Sequence, residues 1–215
     1  MKKHFIELIG TFALTLVLQL TYTTAATYFA PFIISAALFG LATINSKESY
    51  AHFNPAISLA GLLSGKMSVK NFLLAIVSQF LGAFLGSWVA FQLSWHIFAP
   101  HQNLEITGIQ ALSMESIFSA LLALAFFNTM CTDREKLYPL VYSLIYLIAL
   151  YVSPTISGGT FNPAIGLGCT LVTGIMEKFD VSDLWLYILG PILGSIIGYL
   201  LNKFLYQRNI ANDDN

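Results

Sequence analysis

Long apolar runs, with little strict alternation, set the pattern of this chain. Residues 5–22, 28–45, 71–93, 114–131, 137–152 and 184–206 are each almost continuously apolar, broken by few polar positions such as Glu7 and Gln19. A helix of about 20 mostly apolar residues crosses a bilayer core, so the six runs predict six membrane-spanning helices. Between them lie polar connections: Ser46-Lys47-Glu48-Ser49, a mixed loop over 94–113 with His96, Pro100 and His101, the charged turn Asp133-Arg134-Glu135-Lys136, a Gly-containing loop over 153–160 and a charged link over 177–183. Two further apolar stretches, 54–64 (closed by Gly65) and 162–173 (followed by Gly174), are too short to span. A helix of about 10 residues is roughly 15 Å long, half of a hydrocarbon core about 30 Å thick. Each short helix is therefore expected to enter halfway, where its backbone must be satisfied by protein or line a wet cavity.

Both short helices begin with the same words. Phe53-Asn54-Pro55-Ala56-Ile57-x-Leu59 returns as Phe161-Asn162-Pro163-Ala164-Ile165-x-Leu167. Asn caps a helix N-terminus with its side-chain oxygen, and Pro suits the first helical position because its absent N–H would be unpaired there. The offset of 108 residues also relates Glu7 to Glu115, Gly82 to Gly190 and Gly86 to Gly194. The chain thus reads as one membrane domain of two halves, about 1–107 and 108–215, each with three spans and one half-helix. Three is odd, so the second half enters from the opposite face, which makes an inverted repeat. The half-helices then meet N-terminus to N-terminus near the midplane.

Composition supports the lipid setting and narrows the function. Hydrophobic residues make up 56% and charged residues 10% of the chain, where soluble domains carry about 25% charged residues. A net charge of −1 without a basic run gives nucleic acid nothing to bind. Cys131 and Cys169 lack metal-site spacing and read as small packing residues. Met1-Lys2-Lys3 leads directly into the first run, which reads as a span and not as a removed signal. With the N-terminus cytoplasmic, Lys2, Lys3, Lys47, Lys66, Lys70, Arg134, Lys136, Lys203 and Arg208 all fall inside and only Lys178 outside. Positive loops stay inside, so both termini are expected in the cytoplasm and the chain in the plasma or inner membrane.

Two facing helix N-termini concentrate unpaired N–H groups and about half a positive charge each. Such a place repels cations and welcomes oxygen lone pairs, and the Asn NH2 groups add donors. The chain offers no nucleophile, metal cluster or coupled carboxylates for a reaction, so permeation without enzyme chemistry, cofactor or metal is the expectation.

Two Asn-Pro-Ala copies in six spans, Glu7 ahead of Gly10-Thr11-Phe12, and Gly190-Pro191 in the last span resemble the aquaporin (major intrinsic protein) family across essentially the whole chain. The resemblance implies an all-α homotetramer in the lipid bilayer, each protomer with its own pore for water or small neutral solutes such as glycerol. It assigns Asn54, Pro55, Ala56, Asn162, Pro163 and Ala164 to the pore centre. It makes Glu7 and Glu115 structural acceptors for the backbone of the re-entrant loops, where a proton-coupled carrier would use them to move charge. It puts His52, matched by Thr160, near the cytoplasmic mouth, either packed and hydrogen-bonded or as a pH-sensitive gate. One departure matters. Most members carry Arg three residues after the second Asn, and this chain has Ile165. The remaining filter positions fall on Ile34, on Leu150 or Ala149, and on Gly159, which makes the filter apolar and uncharged and favours glycerol-like solutes relative to an Arg-bearing member. Gly82, Gly86, Gly190, Gly194 and Gly198 predict close packing of the third span on the sixth, or a protomer interface. The rival classes are a secondary transporter and a non-conducting structural member.

Overall fold

The protein is described by a computed structural model over residues 2–45, 48–177 and 181–213, excluding the side chains of Ala25 and of 206–213. Lys47 and Lys178, used above for orientation, lie outside the described residues, as does the side chain of Arg208. The helices are α1 (Lys2–Tyr22), α2 (Ala30–Asn45), α3 (Pro55–Leu63), α4 (Val69–Ser94), α5 (Gly108–Met130), α6 (Tyr138–Val152), α7 (Pro163–Glu177) and α8 (Leu184–Asp213). Short 3-10 turns, Ala25–Phe29 and Glu135–Leu137, precede α2 and α6. Among the described residues, six helical segments are long and apolar enough to cross a membrane, and α3 and α7 are not among them.

Two boundaries lie away from those expected. α5 begins at Gly108, six residues before the start of the apolar run at Met114. Thr107 and Gln110 form a reciprocal capping box there, Gln110 N to Thr107 Oγ1 at 3.3 Å and Thr107 N to Gln110 Oε1 at 2.9 Å. Hydropathy marks where lipid contact begins, whereas the cap marks where the helix begins. α3 stops as expected, with Gly65 in the left-handed region at φ +74°. α7 does not stop at Gly174 but continues to Glu177. At 15 residues it is roughly 22 Å long, beyond the halfway expectation. Its buried part nevertheless ends at Thr173, and Ile175 and Glu177 in the added turn are exposed.

The glycine stripes correct the expected pairing of the third span with the sixth. A Cβ on Gly82 would stand 2.3 Å from the Leu8 carbonyl oxygen, and one on Gly86 would stand 2.6 Å from that of Phe12. α4 therefore packs backbone to backbone on α1. Gly190, Gly194 and Gly198 serve α8 in the same way against Glu115, Ser116 and Ala120 of α5. The small residues clear space beside the two helices that carry the buried glutamates. The halves interlock through α2 on α6, α4 on α7 and α8 on α3. Ser195 of α8 ties the last pair by donating to the Ala56 carbonyl at 2.7 Å.

Polar and apolar sides are arranged for lipid. Leu81, Leu85, Leu193, Ile197 and Leu200 are exposed, while Glu7, Gln19, Asn54, Gln79, Glu115 and Asn162 are buried. Cys131 and Cys169 are free thiols, the first half-buried and the second buried.

Candidate functional site

The site is built on two carboxylates that organise two loops. Glu7 Oε1 accepts from Ser49 Oγ (2.9 Å) and His52 N (3.1 Å), and Oε2 accepts from Phe53 N (2.8 Å) and Gln79 Nε2 (2.8 Å). Glu115 Oε1 accepts from Ser157 Oγ (2.9 Å) and Thr160 N (3.1 Å), and Oε2 accepts from Phe161 N (2.7 Å) and Thr160 Oγ1 (3.4 Å). An ionised carboxylate offers about four acceptor positions. Both are filled, as a buried charge requires. Ser49 and Ser157 each also cap a loop N–H, of Ala51 and of Gly159, at 3.2 Å. These serines were not singled out in the sequence, although they obey the same offset of 108 as the glutamates.

The loops adopt one unusual conformation twice. Ala51 and Phe53 have φ of +49° and +51°; Gly159 and Phe161, their counterparts, have +59° and +50°. Left-handed backbone at a non-glycine residue costs roughly 1–2 kcal/mol. Alternating handedness turns successive N–H groups toward one anion, here the glutamate. The carbonyls are correspondingly available to the other half. Asn54 Nδ2 donates to the Phe161 carbonyl at 2.8 Å, and Asn162 Nδ2 donates to the Phe53 carbonyl at 2.8 Å. Each Asn Oδ1 meanwhile caps its own helix, through Ala56 N at 2.9 Å and Ala164 N at 3.1 Å. One hydrogen of each NH2 group is thereby spent on holding the halves together, and Asn54 Nδ2 also donates to the Tyr142 hydroxyl at 3.4 Å, so the sequence expectation of free donor groups is reduced to one hydrogen on Asn162. Pro55 and Pro163 open α3 and α7, and Ala56 and Ala164 are buried behind them.

Of the expected filter positions, Ile34, Leu150 and Ile165 fall in one buried apolar cluster, with Ala149 in it as well. Gly159 stands apart in the loop, where a Cβ would meet Ser153 Oγ at 2.1 Å. His52 is 2% exposed. Its Nδ1 lies 3.1 Å from Ser58 Oγ, and its ring meets Phe126 edge-on at 5.3 Å. It borders a cavity of about 130 Å³ together with Tyr50, Lys66, Met67 and Glu135. Gln79, which bonds both Glu7 and Ser58, had no sequence signal, because its counterpart 108 residues on is Tyr187.

Six apolar helices, two shorter helices meeting at their capped N-termini, and a buried carboxylate under each loop define a multi-pass membrane protein with a polar centre. The major intrinsic protein model matches residues 23–202, and the chain belongs to that family. It is 28% identical to "Aquaporin A" of Dictyostelium discoideum over 182 residues, which cover 80% of this chain and 63% of that protein. It is 25% identical to "Glycerol uptake facilitator protein-like 6" of Lactiplantibacillus plantarum over 210 residues, covering 92% and 94% of the two chains. The fold is that of the aquaglyceroporin from Plasmodium falciparum, with a TM-score of 0.80, 22% identity and 93% of each chain covered.

Proposed function

We propose that the protein is a passive transmembrane channel for water and small neutral, glycerol-like solutes. The observation that carries this reading is the reciprocal pair of bonds from Asn54 to Phe161 and from Asn162 to Phe53, which sets two helix N-termini against each other. Their dipoles and remaining N–H groups oppose cations and protons. The outer filter is Ile34, Leu150 or Ala149, Gly159 and Ile165, without a fixed charge. No chemical step and no cofactor enters this reading.

The domain is taken as two inverted repeats, with both termini cytoplasmic, in the plasma or inner membrane, and four protomers assembled with one path each. The carrier alternative is disfavoured by the filled acceptor positions on Glu7 and Glu115, which leave little room for a proton or ion to bind and release. Stopped-flow light scattering on proteoliposomes is the test. Flux of water, glycerol or urea above protein-free vesicles is expected, with no uphill accumulation under an imposed ion gradient. Accumulation would establish a carrier, and absence of all flux from folded protein would establish a structural member.

A further inference from the structure

α6 carries Tyr138, Tyr142 and Tyr146 at every fourth position, and the channel reading gives none of them a task. All three are 1% exposed. The Tyr142 hydroxyl donates to the His52 carbonyl at 3.4 Å and accepts from Asn54 Nδ2 at 3.4 Å. The Tyr146 hydroxyl donates to the Thr160 carbonyl at 3.1 Å. His52 and Thr160 are counterparts at the offset of 108, so one helix caps the equivalent carbonyl of both halves. The α2 residues 108 positions before the tyrosines are Ala30, Ile34 and Leu38, which have no side-chain polar atom. The repeat is therefore broken at this wall.

The rings form a continuous column. Tyr138 stacks on Tyr142 at 5.1 Å, Tyr142 leads to Tyr146 at 6.5 Å, and Tyr146 meets Phe161 edge-on at 6.3 Å. Phe126, on the wall of the His52 cavity, meets Tyr138 at 6.0 Å, so the column starts where the cavity ends. Asn54 and Asn162 beside it are 0% and 1% exposed, so both amides are packed in place.

We propose that Tyr142 and Tyr146 determine the selectivity of the permeation path, their rings setting its width and their hydroxyls occupying the two carbonyls that a hydrogen-donating solute would otherwise use. This rests on the channel reading. A polyol or urea that finds those acceptors taken must pass unpaired or displace a hydroxyl, and a buried unpaired donor is costly. Water, smaller and with fewer donors to satisfy, is hindered less.

Proteoliposomes of the full chain, loaded equally, separate the outcomes. Tyr142→Phe and Tyr146→Phe keep the packed ring and free a carbonyl; each is expected to raise the glycerol-to-water permeability ratio about fivefold, the net worth of one hydrogen bond. Tyr142→Ala and Tyr146→Ala also widen the path and are expected to raise the ratio further. Tyr151→Phe, on the exposed side of α6, is expected to leave it unchanged. A conducting wild type whose ratio rises in either Phe variant supports the proposal, whereas flux that appears only in the variants overturns the channel reading of the native chain on which it rests. A conducting wild type whose ratio is unmoved in both Phe variants overturns it and leaves the channel reading standing. No flux from the wild type or any variant, with helical circular dichroism intact, overturns both. Should the Ala variants fail to fold, the Phe variants decide.

Discussion

Asn162 donates its side-chain amide to the carbonyl oxygen of Phe53, 109 residues away, at 2.8 Å. The same side chain caps α7 through Ala164 N and Ile165 N, at 3.1 and 3.4 Å. Asn162→Ala removes the cap and the tie together and is expected to lower stability by about 1–3 kcal/mol. Asn162→Asp restores the cap but sets a carboxylate oxygen against the Phe53 carbonyl, so it is expected to rescue nothing. Thermal melting in detergent reads both, and an Asp variant as stable as wild type would refute the role given to the tie.

Each oxygen of Glu115 faces a backbone N–H that can only donate, Thr160 N on Oε1 and Phe161 N on Oε2, beside the hydroxyls of Ser157 and Thr160. In Glu115→Gln the new NH2 group must face one of those N–H groups. Loss of about 2 kcal/mol or more is expected, seen as a lower melting temperature and reduced yield of folded protein. Glu105→Gln, at an exposed loop position, is the control and is expected to be neutral.

Gly82 and Gly40 predict opposite signs for the same change. A Cβ on Gly82 would meet backbone atoms of α1 at 2.3 and 2.9 Å, which cannot turn away as a flexible side chain would. Gly82→Ala is expected to destabilise by about 1–3 kcal/mol. Gly40 has nothing within 4 Å of its would-be Cβ and sits inside α2. Gly40→Ala is expected to stabilise by about 0.5–1 kcal/mol from helix propensity. Unfolding in denaturing detergent compares the two directly.

Ile165 is fully buried in the apolar cluster that holds Ile34 and Leu150. Ile165→Arg brings a permanent cation and five donors to the filter. It is expected to lower the glycerol-to-water permeability ratio in proteoliposomes and to reduce melting temperature, because the cluster holds no carboxylate to pair with a buried guanidinium. A higher ratio would contradict the placement of Ile165 in the filter.

The six apolar segments, the two Asn-capped helix starts and the pairing of Glu7 with Glu115 were legible in the sequence. Hydropathy and capping are local properties, and a repeated spacing survives without any structure. The capping box that starts α5 at Gly108 was equally local, yet the apolar run beginning at Met114 masked it. Ser49 and Ser157 were also present at the repeat offset, but serine in a polar loop looks ordinary until a carboxylate is placed beside it.

What the sequence could not contain is which surfaces meet. An offset of 108 makes Gly82 and Gly190 equivalent, but equivalence names no partner; contact with α1 for one and α5 for the other follows from three-dimensional packing. The tyrosines of α6 have no repeat partners, and their role depends on carbonyls 90 and 14 residues distant. Only the tertiary structure turns those carbonyls away from the glutamates and toward α6. Local patterning therefore determined the helical parts and which of them are long and apolar enough to cross a membrane. Long-range packing decided which polar atoms remain unclaimed at the centre.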